Sequence, residues 1–357
     1  MRPLPATVID VTPGWLNAAL AGAQNWPGGA VTSVEAEPIS GQDSLASAVS
    51  RLTVEVEQAD GSREPLQLLV KLHDPDASTR ADGYYAAEAY FYREIAPRAG
   101  IPVPATYMAE FDTETRRLAI IQEFLSGGRI GSTGQIMDSD DLQRVLAALA
   151  TLHAAWWESP DLGRLSGVRT FDTMRRSIIQ LEPGDPRVRN FLDWFGDLLS
   201  PALADSIGSM PGWLEKVEAN LSTRTTLVHL DCSAKNIFIP DDADRVLVMF
   251  DWALFAAGNP ALDLATLLCQ SVDPADHDRL RALVGTYHAM IVEKGIDDYD
   301  LDVLWDDFRL ACLWWLVRPV GLASILTSDR EAHLKKIVPL LDSVMAHTGA
   351  PELLGQR

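Results

Sequence analysis

The spacing of apolar and polar positions divides the chain into two halves of different character. In the first 125 residues the apolar positions recur mostly at every second residue. "AVTSVEAEPI" (30–39) and "VSRLTVEVEQ" (49–58) alternate as half-buried strands do, and "ADGSRE" (59–64) is a turn. "LQLLVKLH" (66–73) is a third strand, apolar except near its end. The period then lengthens. In "GYYAAEAYFYREIAPRAG" (83–100), Tyr84, Ala87, Tyr90, Phe91 and Ile95 fall at helical spacing, and Gly100 stops the run. "VPATYMAEF" and "RRLAIIQEFL" on either side of "DTET" predict a hairpin over 103–125. The first half is expected to be a small antiparallel sheet carrying one helix.

Past the Gly-rich stretch "SGGRIGSTG" (126–134), read as a hinge, helical spacing takes over. "DSDDLQRVLAALATLHAAWWES" (138–159) is amphipathic and opens with acidic residues, where a helix dipole favours them. Further helical patterns run near 187–200, 203–220, 275–293, 301–317 and 328–347. Only "LVHLDCSAKNIFI" (227–239) and "RVLVMFDW" (245–252) look extended. The fold class predicted is α+β in two lobes, with 1–125 as the sheet-bearing lobe and 126–357 as the larger, mainly helical one.

Composition narrows the functional classes. A chain of 357 residues that is 47% hydrophobic can bury a substantial core. Its formal charge of −20 repels nucleic acid and anionic membranes, so neither is expected as a partner. Cys232, Cys269 and Cys312 are scattered along the chain and show no zinc-type spacing; they read as reduced thiols of a cytoplasmic protein. "MRPLPATVID" lacks the apolar core of a signal peptide. The most apolar window, 310–326, is interrupted by Arg318 and Pro319 and reads as a buried helix rather than a membrane span.

The stretch 227–239 places His229, Asp231, Ser233, Lys235 and Asn236 between two apolar segments, where a core would take no polar groups. Phosphoryl transfer calls for such a set. A carboxylate must orient the acceptor hydroxyl and accept its proton, and a metal on the nucleotide phosphates needs hard oxygen ligands. His-x-Asp-x-x-x-x-Asn supplies a carboxylate and an amide from one loop. Asp251, directly after "VLVMF", supplies a second carboxylate across the turn "PDDADR".

With "HLDCSAKNIFI", "VLVMFDWALFAAGNPALDLATLL" and the Gly258, Pro260, Asp263, Leu264, Ala265 pattern in view, the chain resembles the aminoglycoside phosphotransferase and choline kinase-like family. These are small-molecule relatives of the protein kinases, and "LHAAWW" is similar to the ecdysteroid kinase-like branch. The resemblance implies a bilobal protein-kinase-like fold and transfer of the terminal phosphate of ATP or GTP to a hydroxyl. It implies Asp231 as catalytic base, Asn236 and Asp251 as Mg2+ ligands, and Asp263 as a buried support for the loop. Leu230 stands where the family usually has glycine, which puts the local loop geometry in question.

A kinase-like first lobe needs a strand lysine for the phosphates and a helix glutamate to orient it. Lys71 and Glu88 fill those places, with Glu94 as the competing glutamate. The loop "SGQDSLASAVS" (40–50), with Gly41 and Ser44, sits where backbone amides would cradle phosphate. By resemblance, the backbone groups of Glu123 and Leu125 meet the adenine. His229 and His153 read as structural groups, and Trp252 as a residue lining the site. Lys235 reads as solvated, with a phosphate contact as its other reading. The acceptor is left open between an amino sugar or aminoglycoside, an amino alcohol, and a lipophilic alcohol. Two alternatives stand beside the small-molecule kinase. A catalytically silent kinase-fold protein is opposed by the complete residue set. A protein kinase is opposed by the lack of Asp-Phe-Gly, Ala-Pro-Glu and a long activation segment after Asp251.

Overall fold

The computed structural model describes residues 3–23, 25–39, 47–73, 82–164, 169–170, 181, 183–242, 245–323 and 328–354. It forms two compact units. One is Met1–Gly128 with Phe250–Leu254, and the other is Arg129–Met249 with Phe255–Arg357.

The first unit is built on a five-stranded antiparallel sheet in the order β1-β2-β3-β5-β4. Its strands are β1 (Ala30–Pro38), β2 (Ser47–Glu57), β3 (Arg63–His73), β4 (Thr106–Asp112) and β5 (Arg117–Glu123). The two-residue alternation read from the sequence decides which face each side chain meets. Leu52, Val54 and Val56 of β2 pack in one cluster with Leu68, Val70 and Leu72 of β3. That cluster is closed by a helix the pattern did not announce, α1 (Pro13–Leu20), through Leu16, Ala19 and Leu20. Thr12 caps α1 by accepting from the Trp15 amide, and Pro13 occupies its first position. Its apolar positions are too few to give a clear period, so the signal for α1 lay in the cap.

Lys71 and His73 alternate with Val70 and Leu72 along β3 and belong to the opposite face. There α2 (Asp82–Tyr90) covers the sheet, with Tyr85 stacked on the buried His73 ring at 3.9 Å. The helix then widens into one π turn, Phe91–Ile95. Such turns shift the phase of the side chains that follow and recur near functional groups.

The second unit is mainly helical: α3 (Ser139–Ala155), α4 (Pro160–Arg164), α5 (Pro186–Phe195), α6 (Pro201–Gly208), α7 (Met210–Asn220), α8 (Ala261–Ser271), α9 (Leu280–Glu293), α10 (Leu301–Trp315), α11 (Val317–Ala323) and α12 (Ser328–Thr348). α8 is the centre of this unit, and all of its residues are buried. Its polar residues, Asp263, Thr266, Gln270 and Ser271, are buried along with its apolar ones, so it has no solvent face. On α8, Cys269 lies 3.5 Å from Cys312 of α10, sulfur to sulfur, with both thiols free. Among the described residues no helix is long and apolar enough to cross a membrane.

Short strands frame the polar loop of this unit. β6 (Gly128–Ile130), β9 (Ile237–Pro240) and β10 (Val248–Met249) form one small sheet in the order β10-β9-β6. β7 (Arg169–Thr170), β11 (Ala256–Gly258) and β8 (Thr226–Val228) form another, ordered β7-β11-β8. The loop 229–236 thus leaves β8 of one sheet and enters β9 of the other. Gly131, in the stretch read as a hinge, is closely packed. Its amide donates to the Ala234 carbonyl at 3.0 Å, and a Cβ there would stand 2.6 Å from the Ala234 methyl.

Gly131→Ala should therefore destabilise the protein by about 1–3 kcal/mol, the usual cost of forcing an extra methyl into a packed site. Gly83→Ala, in open space on α2, should stabilise by about 0.5–1 kcal/mol by restricting the unfolded chain. Urea unfolding midpoints of the two variants check both, and shifts of the same sign would contradict the packing role of Gly131.

Candidate active site

Two groups of polar residues answer to the sequence reading, one in each unit. In the first unit the Lys71 ammonium lies 2.9 Å from both carboxylate oxygens of Glu88 and 3.0 Å from Oδ1 of Asp251. Glu88 is 1% exposed, and its burial has to be offset by a partner. Of the two candidate glutamates, Glu88 is the one paired with Lys71, while Glu94 is exposed beside Arg93. Burial pushes the Glu88 carboxyl up to about 7, with Lys71 opposing the shift and Asp251 adding to it. Burial alone would lower the pKa of Lys71, but the Asp251 and Glu88 carboxylates outweigh it and raise it. The ammonium is therefore firmly charged.

The π turn accounts for the rest of this cluster. Phe91 stacks on Trp252 at 4.1 Å with the planes 6° apart, and the hydroxyl of Tyr92 accepts from the Asp251 amide at 3.2 Å. Trp252 is fully buried, so the sequence reading of it as a residue lining the site is corrected: it anchors 250–254 by stacking. Asp251 itself adopts φ +63°, a left-handed conformation rare for a residue with a side chain. Such a backbone persists only where its surroundings impose it, and Tyr92, Lys71 and the buried Trp252 do so here. At the end of β5, Glu123 accepts from the Ala105 amide with Oε1, and its own amide donates to the Ala105 carbonyl. Its N–H is thereby committed. Leu125 follows, half-buried. Gly41 and Ser44 lie outside the described residues.

In the second unit the organising group is Asp263, fully buried at the start of α8. Its Oδ2 accepts from the amide of His229 at 2.7 Å and its Oδ1 from the amide of Leu230 at 2.6 Å. A third contact comes from His153 Nε2 at 3.2 Å, and His153 Nδ1 lies 2.7 Å from the Tyr287 hydroxyl. A carboxylate only accepts, so Nε2 carries the proton and Nδ1 takes the Tyr287 hydrogen. The two consecutive amides held by one carboxylate fold the chain sharply. Leu230 consequently has φ +63° and is 2% exposed. The family glycine at this position is explained by that backbone, and here the strain is set against the burial of a leucine side chain.

The turn presents Asp231. Its amide donates to Nδ1 of His229 at 3.1 Å, and the Asn236 amide group donates to the Asp231 carbonyl at 2.9 Å. His229 is thus a structural acceptor. Arg318 Nη1 donates to Oδ1 of Asp231 at 2.8 Å and to the Leu230 carbonyl at 2.9 Å, and Lys235 Nζ lies 3.4 Å from Oδ2. Burial would raise the Asp231 carboxyl, but Arg318 and then Lys235 outweigh it and hold it well below the usual carboxylate range. Asp231 is therefore ionised. Cys232 is buried beside it, and burial followed by the Asp263 and Asp231 charges pushes its thiol far up, which leaves no thiolate chemistry. Sequence reasoning assigned Arg318 no role. The signal was a guanidinium inside the most apolar window of the chain, where only a buried anion would justify it.

The oxygen donors suit a magnesium ion. Asn236 commits its amide N–H to the Asp231 carbonyl and so turns its oxygen to other partners, and Asp251 carries a carboxylate; each is a hard oxygen donor of the type magnesium takes. Among the described residues no cluster of three His, Cys, Asp or Glu side chains could hold a metal unaided.

These arrangements can be set beside known proteins. The family model described as phosphotransferase enzyme family matches residues 43–299. The chain belongs to this family. Its fold is similar to that of a putative aminoglycoside phosphotransferase from Ralstonia eutropha JMP134, at 17% identity and TM-score 0.52, over 94% of this chain and 97% of that one. It is likewise similar to the GDP complex of a variant aminoglycoside 2′-phosphotransferase-IIIa, at 14% identity and TM-score 0.57, over 93% and 97% of the two chains. No curated protein matches the sequence. At such identities the likeness establishes the α+β kinase-like fold, with an antiparallel sheet in the first unit and helices in the second.

Asp263→Ala should lower stability by about 3–5 kcal/mol, because it orphans two buried backbone amides and a buried histidine at once. Tyr287→Phe, which removes one hydrogen bond and keeps the ring, should cost about 1 kcal/mol. Chemical denaturation of both variants checks the difference, and a wild-type midpoint for Asp263→Ala would show that the carboxylate does not hold the loop.

Proposed function

We propose that the protein is a magnesium-dependent kinase that moves the terminal phosphate of ATP or GTP to a hydroxyl of a small molecule. The observation that carries this reading is the buried Lys71 ammonium, ion-paired at once with Glu88 and Asp251. A folded chain bears the cost of burying such charges only where they are paired, and this set is what nucleotide phosphates require. Family membership and the complete Asp231, Asn236 and Asp251 set support it further.

In this reading Lys71 holds the α and β phosphates, Glu88 fixes the lysine, and the 40–50 loop with Gly41 and Ser44 covers the phosphates. The carbonyl of Glu123 and the amide of Leu125 meet the purine. Asn236 and Asp251 hold magnesium, which when bound neutralises phosphate charge. Asp231 takes the acceptor proton at its carboxylate, and Arg318 and Asp263 fix where that carboxylate stands. Neighbours in complex with GDP are in keeping with a guanine as well as an adenine nucleotide. The protein is taken as cytoplasmic, with its cysteines reduced. A silent nucleotide-binding relative would retain the fold and bind without turnover.

Asp231→Ala should bind nucleotide with little change while turnover falls by at least about a hundredfold, in line with the loss of a general base. Asp251→Ala should weaken magnesium-dependent nucleotide binding. Calorimetric titration with ADP and magnesium, alongside phosphate transfer to a panel of hydroxyl compounds, separates the two effects. Undiminished transfer by Asp231→Ala would remove the assigned base, and no transfer by the wild type to any acceptor would favour the silent reading.

A further inference from the structure

The second unit contains a recess that opens on Asp231. It is lined by Asp231, Lys235, Gln270, Trp315, Arg318, Pro319, His333 and Ile337. Its chemistry is one-sided. Among the described residues Asp231 is the only carboxylate in the lining, and two cationic side chains, Arg318 and Lys235, already face it. The −20 charge of the chain as a whole does not extend to this wall. Among the described lining residues one carboxylate thus stands against two cations.

The remaining polar capacity is mostly of donors, the Gln270 amide oxygen being an acceptor in the lining, since its Nε2 donates to the Thr266 carbonyl. Arg318 carries five N–H donors, and its bonds to Asp231 and to the Leu230 carbonyl both use Nη1. Lys235 offers ammonium hydrogens and is 23% exposed at its side chain. Trp315 is 3% exposed, and its indole N–H, a donor only, has no hydrogen-bond partner among the described residues. A buried donor left unpaired is costly unless a ligand satisfies it. Pro319 and Ile337 add apolar surface beside these donors.

We propose that the acceptor is an alcohol carrying an anionic oxygen group, carboxylate or phosphate, and no positive charge. Its hydroxyl would lie at Asp231 and its anion against Arg318 and Lys235 at the mouth of the recess, whose interior of about 10 Å³ admits no more than a water-sized group. This narrows the reading of a hydroxyl kinase and rests on it for the role of the hydroxyl. It runs against the amino sugars and amino alcohols left open by the sequence, since their ammonium groups would meet two cations and no unpaired carboxylate. Charge repulsion of this kind selects among substrates as strongly as attraction does.

The test uses the full chain and four matched probes on one scaffold: 4-(hydroxymethyl)benzoate, 4-(hydroxymethyl)phenyl phosphate, 4-methylbenzyl alcohol and 4-(aminomethyl)benzyl alcohol. Binding is read by saturation-transfer NMR, which needs no turnover, and phosphate transfer from ATP is read separately. The carboxylate or the phosphate probe should bind at least tenfold more tightly than the amine, and the better of the two identifies the anion. Lys235→Gln and Arg318→Gln should each reduce that binding at least tenfold, and Lys235→Gln keeps the test open should Arg318→Gln not fold. The proposal is overturned by tighter binding of the amine, by equal or absent binding across the series, or by anion binding that survives Lys235→Gln unchanged. Selective anion binding without phosphate transfer to any probe would count against the kinase reading and leave the charge preference standing.

Discussion

Asp263 holds the most consequential interaction in the molecule. A carboxylate buried without water must be satisfied on both oxygens, and here consecutive backbone amides, those of His229 and Leu230, do that work. The demand dictates the shape of the chain around it. Two adjacent amides can converge on one carboxylate only if the backbone turns, and the turn drives Leu230 into left-handed space and brings Asp231 to Arg318. His153 and Tyr287 close the far side of the same carboxylate, so α3, α8 and α9 are joined through it. The strength of this clamp lets a leucine sit where the backbone would prefer glycine.

The first unit reaches a comparable result by different means. Sheet alternation sends Val70 and Leu72 into one core and Lys71 to the other face, so the lysine is buried because of where its strand runs. Glu88 and Asp251 then make that burial tolerable. Neither half relies on a flexible polar residue: every charged group proposed for chemistry is held by a partner whose own position is fixed by packing.

Much of this was legible in the sequence. The strands declared themselves by their period of two, and α3, α9, α10 and α12 by their mixed faces. The chemistry of phosphoryl transfer, together with the spacing of Asp231, Asn236 and Asp251, named the polar groups. Three kinds of feature were not legible. α8 is buried all round, its polar residues included, so no solvent face marked it. α1 announces itself only by a threonine and a proline at its start. Arg318 lies 87 residues from Asp231, and no local rule pairs residues at that distance. The return of 250–254 to the first unit is of the same kind, since it depends on Trp252 finding Phe91. The residue after the Asp251 carboxylate is an anchor for it, and sequence adjacency alone could not tell anchoring from exposure to ligand.

The double pairing of Lys71 has a thermodynamic consequence on the proposed reading. Its ammonium is already satisfied before any phosphate arrives, so docking a nucleotide is an exchange of partners in which one carboxylate contact is given up for another anion. The enthalpy of the new contact is then largely cancelled by the loss of the old. What the empty protein gains from the arrangement is order, since the lysine is held in its working position by the bonds it will later trade.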